Sequence, residues 1–273
     1  KVSDVATGAI AWGEPVLSPA ITTVSGGRLF YRGRDAVELA EAETLEAVAR
    51  LLRGGHGAAL KRTDRPQPPE GGDMRSRAFT ALAARAGTDP PARGRNPLAL
   101  AVEAATLLDV LTDAMAGQVG GGAIANRLAL AWGLGPGGPG ADLIRRALVL
   151  LADHELNASA FAARVAASTG ASLAAASLAG LAALSGPRHG GAAAAIQSLA
   201  REAAQTGPRA AIPARQAEDR LIPGFGHQLY PDTDPRAEAL LERVEATPEM
   251  AGLRSAVTAM TGLQPNVDFA LVA

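Results

Sequence analysis

The residues best suited to moving protons here are histidines. Of four in the chain, three stand in compact motifs: Asp153-His154-Glu155-Leu156-Asn157, Gly186-Pro187-Arg188-His189-Gly190-Gly191 and Gly224-Phe225-Gly226-His227. Near neutral pH an imidazole can donate or accept a proton, and glycine lets backbone and substrate approach closely. Asn266-Val267-Asp268-Phe269 adds a carboxylate, and Asp234-Pro235-Arg236 places a guanidinium nine residues after His227. In a chain so poor in histidine, this placement points to an enzyme.

Each motif also has a plainer use. His154, bracketed by Asp153 and Glu155, would keep its proton more readily than a free imidazole and so suit a substrate carboxylate. Alternatively, Asp153 or Asn157 caps a helix and His154 is exposed. Around His189 the glycines allow backbone conformations closed to other residues, and the following helix N-terminus favours a neutral imidazole or a developing anion. A simple turn would use Gly and Pro as well, but it would not need His. Arg236 matches carboxylate geometry through paired hydrogen bonds. Gly224-Phe225-Gly226 is not a dinucleotide loop, because a third glycine and a preceding strand are missing. Asp268, taken alone, is an ordinary surface carboxylate. The three histidines lie 35 and 38 residues apart, with no His-x-x-x-His pair and no cysteine, so no metal site is expected.

The elements that must hold these groups read as helices. Val37, Leu39, Ala40, Leu45, Val48, Ala49, Leu51 and Leu52 recur at helical spacing until Gly54-Gly55. Further helices are expected over 98–115, 124–132, 143–151, 158–165, 173–184, 192–204, 236–245 and 251–260, with too few β-branched residues for a competing sheet. Gly27-Arg28-Leu29-Phe30-Tyr31-Arg32-Gly33 could form a small strand or hairpin arm. Segments 61–73 and 87–97 read as loops, and Gly207-Pro208 and Pro213 as breaks. The expected class is all-α.

With 273 residues, 48% of them hydrophobic, the chain can bury one large core or two unequal ones. A net charge of −1 gives no reason to expect nucleic acid as a partner. The lack of cysteine excludes a disulfide framework and fits a cytoplasmic location. The longest weakly polar run, Ala171 to Leu184, is too short to span a bilayer, and Lys1 to Gly13 do not read as a signal peptide. Because the chain begins with Lys and stops soon after the Asp268 motif, one or both natural ends are expected to be missing.

Taken together and in this order, the motifs resemble the citrate synthase family, and Gly33-Arg34-Asp35 is similar to that family's Tyr-Arg-Gly-x-Asp segment. The resemblance covers nearly the whole chain and is weakest between about 56 and 120. It implies an all-α, two-domain homodimer with a cleft between a large domain (1–188, its C-terminal part missing) and a small one (189–273). It also implies condensation of oxaloacetate with acetyl-CoA to citrate, as in the tricarboxylic acid cycle, with a coenzyme A thioester as co-substrate and no permanent cofactor, metal or membrane. By resemblance, Asp268 would be the base that takes the acetyl proton, and His189 would stabilise the enol. His227 would polarise the ketone, while His154 and Arg236 would hold oxaloacetate carboxylates. The coenzyme A contacts are not assigned, since Pro231 stands where many members carry a basic residue. Ala270-Leu271 also replace the family's aromatic and small residues, and the short stretch from His227 to Asp268 implies a trimmed small domain. The same resemblance admits a 2-methylcitrate synthase, a citryl-CoA lyase or a catalytically silent sensor or assembly subunit.

Overall fold

A computed structural model describes residues 21–55, 65–154, 157–217 and 222–273. The expected arm is a hairpin: β1 (Thr22–Ser25) pairs antiparallel with β2 (Arg28–Tyr31), in register Thr22↔Tyr31 to Ser25↔Arg28. The two-residue turn is Gly26-Gly27, with φ of +56° and +73°. Two left-handed residues match the strand twist, and glycine adopts them without strain. A two-residue β3 (Arg34–Asp35) pairs with β2. Asp35 then accepts from the Val37 and Glu38 amides, starting helix α1 (Ala36–Ala42).

Helices account for most of the remainder, in agreement with the all-α reading. The expected single helix through 52 is two, α1 and α2 (Leu45–Leu52), because Thr44 turns extended and its hydroxyl caps Ala47. Helix α3 (Met74–Ala86) has no counterpart in the sequence reading, since Arg75, Arg77 and Arg85 interrupt its apolar pattern. Arg77 is instead spent on the Ala114 and Met115 carbonyls at the end of α4 (Pro97–Ala116). Next come α5 (Ile124–Ala131), α6 (Pro139–Leu150), α7 (Ala158–Ser168) and α8 (Leu173–Leu184). They are followed by the four-residue α9 (Pro187–Gly190) and by α10 (Ala192–Thr206). The break expected at Gly207-Pro208 is present, since Gly207 with φ of +84° separates α10 from the next helix, whereas the one expected at Pro213 is not. Pro208 opens α11 (Pro208–Ala217), where its missing N–H is not needed, and the helix continues through Pro213. Helices α12 (Pro235–Leu241), α13 (Pro248–Thr261) and α14 (Val267–Ala270) complete the set.

Two principal cores organise these elements. The first joins Leu29, Tyr31, Leu39, Val48, Val149 and Leu150 to Ala237, Leu240 and Val267. The second gathers Ile196, Leu199, Ile212, Phe225, Leu253, Val257 and Phe269. Helix α12 lies in sequence between the second core's helices and α14 lies after them, yet both pack on the first core, with Val267 of α14 in the first core and Phe269 in the second. Helices α3, α4, α7 and α8 pack through small residues such as Ala81, Ala114 and Ala174. At Gly180 an added Cβ would lie 3.1 Å from the Ser159 carbonyl, so α7 and α8 can approach only because that position lacks a side chain.

Candidate functional site

Two chain segments far apart in sequence are stitched side by side. The Gly226 amide donates to the Gln264 carbonyl at 2.9 Å, and the Asn266 amide donates to the Gly224 carbonyl at the same distance. The Asn266 side chain adds a bond to the Gly226 carbonyl at 3.0 Å and caps α14 by accepting from the Asp268 and Phe269 amides. Gly224 and Gly226 have φ of +83° and +73°, and a Cβ on Gly224 would sit about 3 Å from Ile196 and Phe269. Both conformation and space require glycine there, and the crossing carries His227 and Asp268 to one place.

His154 reaches the same place from the loop after α6. The arm fixes that loop: the Thr22 hydroxyl donates to the Asp153 carboxylate, and the buried Tyr31 hydroxyl lies 3.0 Å from the Val149 and Leu150 carbonyls. The His154 and His227 rings meet edge to face, with centroids 5.1 Å apart. Tyr230 completes the basin, its hydroxyl 3.1 Å from His154 Nε2 and its ring 4.9 Å from that of His227. The Arg236 guanidinium lies 5.2 Å over the Tyr230 ring. Asp234 holds Arg236 through Nε at 2.9 Å and Nη2 at 2.8 Å, and accepts the Val267 amide at 2.9 Å. One buried carboxylate therefore ties the guanidinium to the turn that carries Asp268. Among the described residues, Arg236 Nη1 takes no hydrogen-bond partner.

His189 stands on α9, directly after α8. Its Nε2 lies 2.9 Å from the Ser159 hydroxyl, and that hydroxyl is 2.7 Å from Asn157 Oδ1. Asn157 also caps α7 by accepting the Ala160 amide, so the motif's cap and its inward-turned His154 coexist rather than compete. Gly190 and Gly191 lie outside the left-handed region, contrary to the expectation that unusual backbone conformation explains them. Close approach does: a Cβ would sit 2.1 Å from the Leu184 carbonyl oxygen at Gly190 and 2.3 Å from that of Pro187 at Gly191.

The electrostatics correct the sequence reading of His154. Burial, reinforced by Arg236 and His227, pushes its pKa down to about 3, so it is neutral. The flanking Asp153 is turned onto Thr22, and burial raises its own pKa; Glu155 and the fourth histidine, His56, lie outside the described residues. His227 is also pushed down, first by burial and then by Arg236. Its Nδ1 accepts the Leu229 amide at 3.1 Å, which leaves the neutral ring's proton on Nε2. Burial raises the Asp268 pKa, against opposition from Arg236. Burial also pushes Asp234 up, but the Arg236 and Val267 hydrogen bonds outweigh it and hold the carboxyl below its ordinary value.

All five residues singled out in the sequence thus converge. His154, His227 and Arg236 surround Tyr230, and Asp268 lies within the electrostatic reach of Arg236, His227 and His189. Sequence reasoning passed over Ser159, Tyr230 and Asp234. Asn157-x-Ser159 gave a weak signal, and Asp234 had been read only as part of the Arg236 motif. Among the described residues, no group of three or more His, Asp or Glu side chains could hold a metal ion, and no helix is long and apolar enough to cross a membrane.

Residues 73–273 match the family model described as citrate synthase, C-terminal domain. The citrate synthase 2 of Bacillus subtilis is 34% identical over 139 residues, which cover 47% of this chain and 37% of that protein. A 2-methylcitrate synthase 2 of Corynebacterium glutamicum is 32% identical over 53% of this chain and 42% of its own length. A putative citrate synthase 2 of Mycobacterium tuberculosis is 30% identical over 244 residues, 81% of this chain and 64% of that one. The chain therefore spans between about a third and two thirds of these relatives. In solved structures, the fold resembles Thermotoga maritima citrate synthase with a TM-score of 0.71 at 23% identity, covering 95% of this chain and 82% of that one. It also resembles the Thermoplasma acidophilum citrate synthase in a ternary complex with carboxymethyl coenzyme A and oxaloacetate, with a TM-score of 0.73 at 22% identity over 95% and 81% of the two chains.

Proposed function

The chain belongs to the citrate synthase family, and from that membership we propose that it joins the acyl carbon of acetyl-CoA to the ketone of oxaloacetate, then hydrolyses citryl-CoA to citrate. The observation that carries this reading is the convergence of two neutral imidazoles, a guanidinium and a raised-pKa carboxylate in one basin.

A thioester α-proton is weakly acidic, so a carboxylate can remove it only if the enol oxygen is stabilised as the proton leaves. Asp268 is the base, and its raised pKa narrows the gap to that carbon acid. His189 supplies the enol's hydrogen bond. The Ser159 hydroxyl has one proton and two acceptors in reach, Asn157 Oδ1 and His189 Nε2. In this structure it donates to Asn157 Oδ1; turned to donate to His189 instead, it would put the imidazole proton on Nδ1, free for the thioester oxygen. His227, with its proton on Nε2, polarises the ketone and protonates the new alkoxide. His154 and Arg236 hold carboxylates, His154 as a neutral N–H donor rather than a cation.

The site lies where the two cores meet, which supports a large unit over 1–188, a small unit from 189 and a cleft between them. The protein acts as a cytoplasmic homodimer; its dimerisation is supported by apolar side chains exposed on the α4, α7 and α8 bundle, Leu98, Phe161, Val165 and Leu184. The test is thiol release from acetyl-CoA and, in parallel, propionyl-CoA, each with and without oxaloacetate. Oxaloacetate-dependent release supports the proposal, with faster propionyl-CoA turnover pointing to a 2-methylcitrate synthase. A dimer that binds oxaloacetate but releases no thiol contradicts synthase activity and leaves a lyase or a silent sensor.

A further inference from the structure

The hairpin arm lends no side chain to the basin, yet one of its rungs carries more chemistry than packing requires. Thr22 and Tyr31 are register partners across β1 and β2, so both side chains leave the same face. Both are buried, at 1% and 0% exposure. Valine and phenylalanine would fill those places as well, which leaves the two hydroxyls to be explained.

Both hydroxyls are spent on the short segment between α6 and His154. That of Tyr31 lies 3.0 Å from the Val149 and Leu150 carbonyls, and the Asp153 backbone N–H lies against the same oxygen. Carbonyls only accept and an amide only donates, so the direction of each bond is settled. The Thr22 hydroxyl donates to the Asp153 carboxylate, which also takes the His154 backbone N–H. The chain leaving α6 is thus bent around one rung, and His154 emerges from the bend with its ring edge to face with His227. Tyr31 lies close enough to Arg236 and Tyr230 to interact with their charges, so the rung stands beside the basin.

We propose that Tyr31 and Thr22 are positioning residues for the proposed oxo-acid half of the site: by fixing the chain around Asp153, they hold the His154 imidazole where a substrate carboxylate meets it. A hydrogen bond weakens steeply away from its preferred distance and angle. Released at Asp153, His154 would spread its ring over several positions, and affinity falls with the fraction misplaced. His189 and Asp268, proposed to meet the acyl group, take no hydrogen bond from either hydroxyl, so acyl-CoA lies outside this effect.

The inference rests on the condensation reading for its substrate, and two measurements keep their fates apart. In the first, histidine ring resonances are followed by NMR against pH in wild type, Tyr31→Phe and Thr22→Val. A ring released toward water should take up its proton at least about one pH unit higher than the wild-type His154, while His189, tied to Ser159 instead, titrates alike in all three. An unchanged His154 titration in the variants overturns the proposal. So does a wild-type His154 that titrates like a free imidazole, near pH 6.5, and that result needs no variant to fold. The second measurement is kinetic. Tyr31→Phe should raise the oxaloacetate KM about tenfold and Thr22→Val about threefold, the loss of one hydrogen-bonding group each, with acyl-CoA KM unchanged. Val48→Ala, which thins the same core without removing a hydrogen bond, should lose stability yet leave both KM values as they were. Equal changes in both substrates' KM for Tyr31→Phe, or none, would mark a merely structural role and overturn the proposal. A wild type that neither binds oxaloacetate nor releases thiol defeats the condensation reading, while the titration still decides whether the rung holds His154.

Discussion

The two halves of the site are built differently. On the side proposed for the oxo acid, His154, His227, Tyr230 and Arg236 are inward-turned and cross-tied, and Asp234 anchors the guanidinium through two side-chain bonds and accepts the Val267 amide as well. On the side proposed for the acyl group, His189 sits on a four-residue helix between glycines, and its side chain contacts the Ser159 hydroxyl. The first half fixes charge and hydrogen-bond direction before substrate arrives. The second is held by that hydroxyl and by backbone packing that leaves no room for a Cβ at Gly190 or Gly191.

Breaking the tied half should have the largest effect. Arg236→Ala leaves Asp234, itself 2% exposed, as an unpaired buried charge, which should cost about 3–5 kcal/mol of stability in chemical denaturation. Oxaloacetate affinity should fall far more than acyl-CoA affinity. Arg127→Ala is the comparison: Arg127 is equally buried and pairs with Asp109 and Asp113 within the helical bundle. It should lose less stability, because Arg65 still pairs with both carboxylates, while oxaloacetate and acyl-CoA affinities stay matched. Equal affinity losses in Arg236→Ala would mark a folding defect and remove its assigned role.

Acid sharpens the same contrast. His154 titrates near 3 when folded and near 6.5 when unfolded, so the unfolded chain binds the extra proton between those values. Its contribution is therefore complete above about pH 6.5 and lost as pH falls toward 3, a few kcal/mol in all. His227, also lowered, acts in the same direction. Asp268 acts in the opposite direction: its raised pKa favours the folded state when the carboxyl is protonated and weakens it as pH rises through that pKa. His154→Gln should flatten the stability profile between pH 6 and 4, and an unchanged profile would show that His154 is not buried neutral. A smaller effect is expected on the acyl side. Ser159→Ala should lower kcat/KM for acetyl-CoA about tenfold, with oxaloacetate binding measured by calorimetry unchanged; loss of oxaloacetate binding would show that the halves are not separable.

Much of this could be read from residues alone. His154, His189, His227, Arg236 and Asp268, which the fold brings together, stood out by their types and neighbours, and the helices were recognisable where apolar spacing is regular. What escaped depends on three-dimensional partners. Helix α3 is held by Arg77 bonding to carbonyls 37 and 38 residues away, which an amphipathic pattern does not record. The charge of His154 was misjudged because sequence neighbours were taken for spatial ones: Asp153 faces Thr22, while Arg236 lies close enough to oppose protonation. The glycines beside His189 were noticed for their flexibility, but a carbonyl oxygen that a Cβ would strike is invisible until the helices are packed. Tyr230 looked like any aromatic residue before a proline.

The most direct test compares wild type and Asp268→Asn for oxaloacetate-dependent thiol release from acetyl-CoA, with oxaloacetate binding followed by calorimetry in both. Loss of the base should lower turnover about a thousandfold, while the basin of His154, His227 and Arg236 still binds oxaloacetate with nearly unchanged affinity. Turnover in Asp268→Asn equal to wild type would remove Asp268 as the base and contradict the mechanism at its first step.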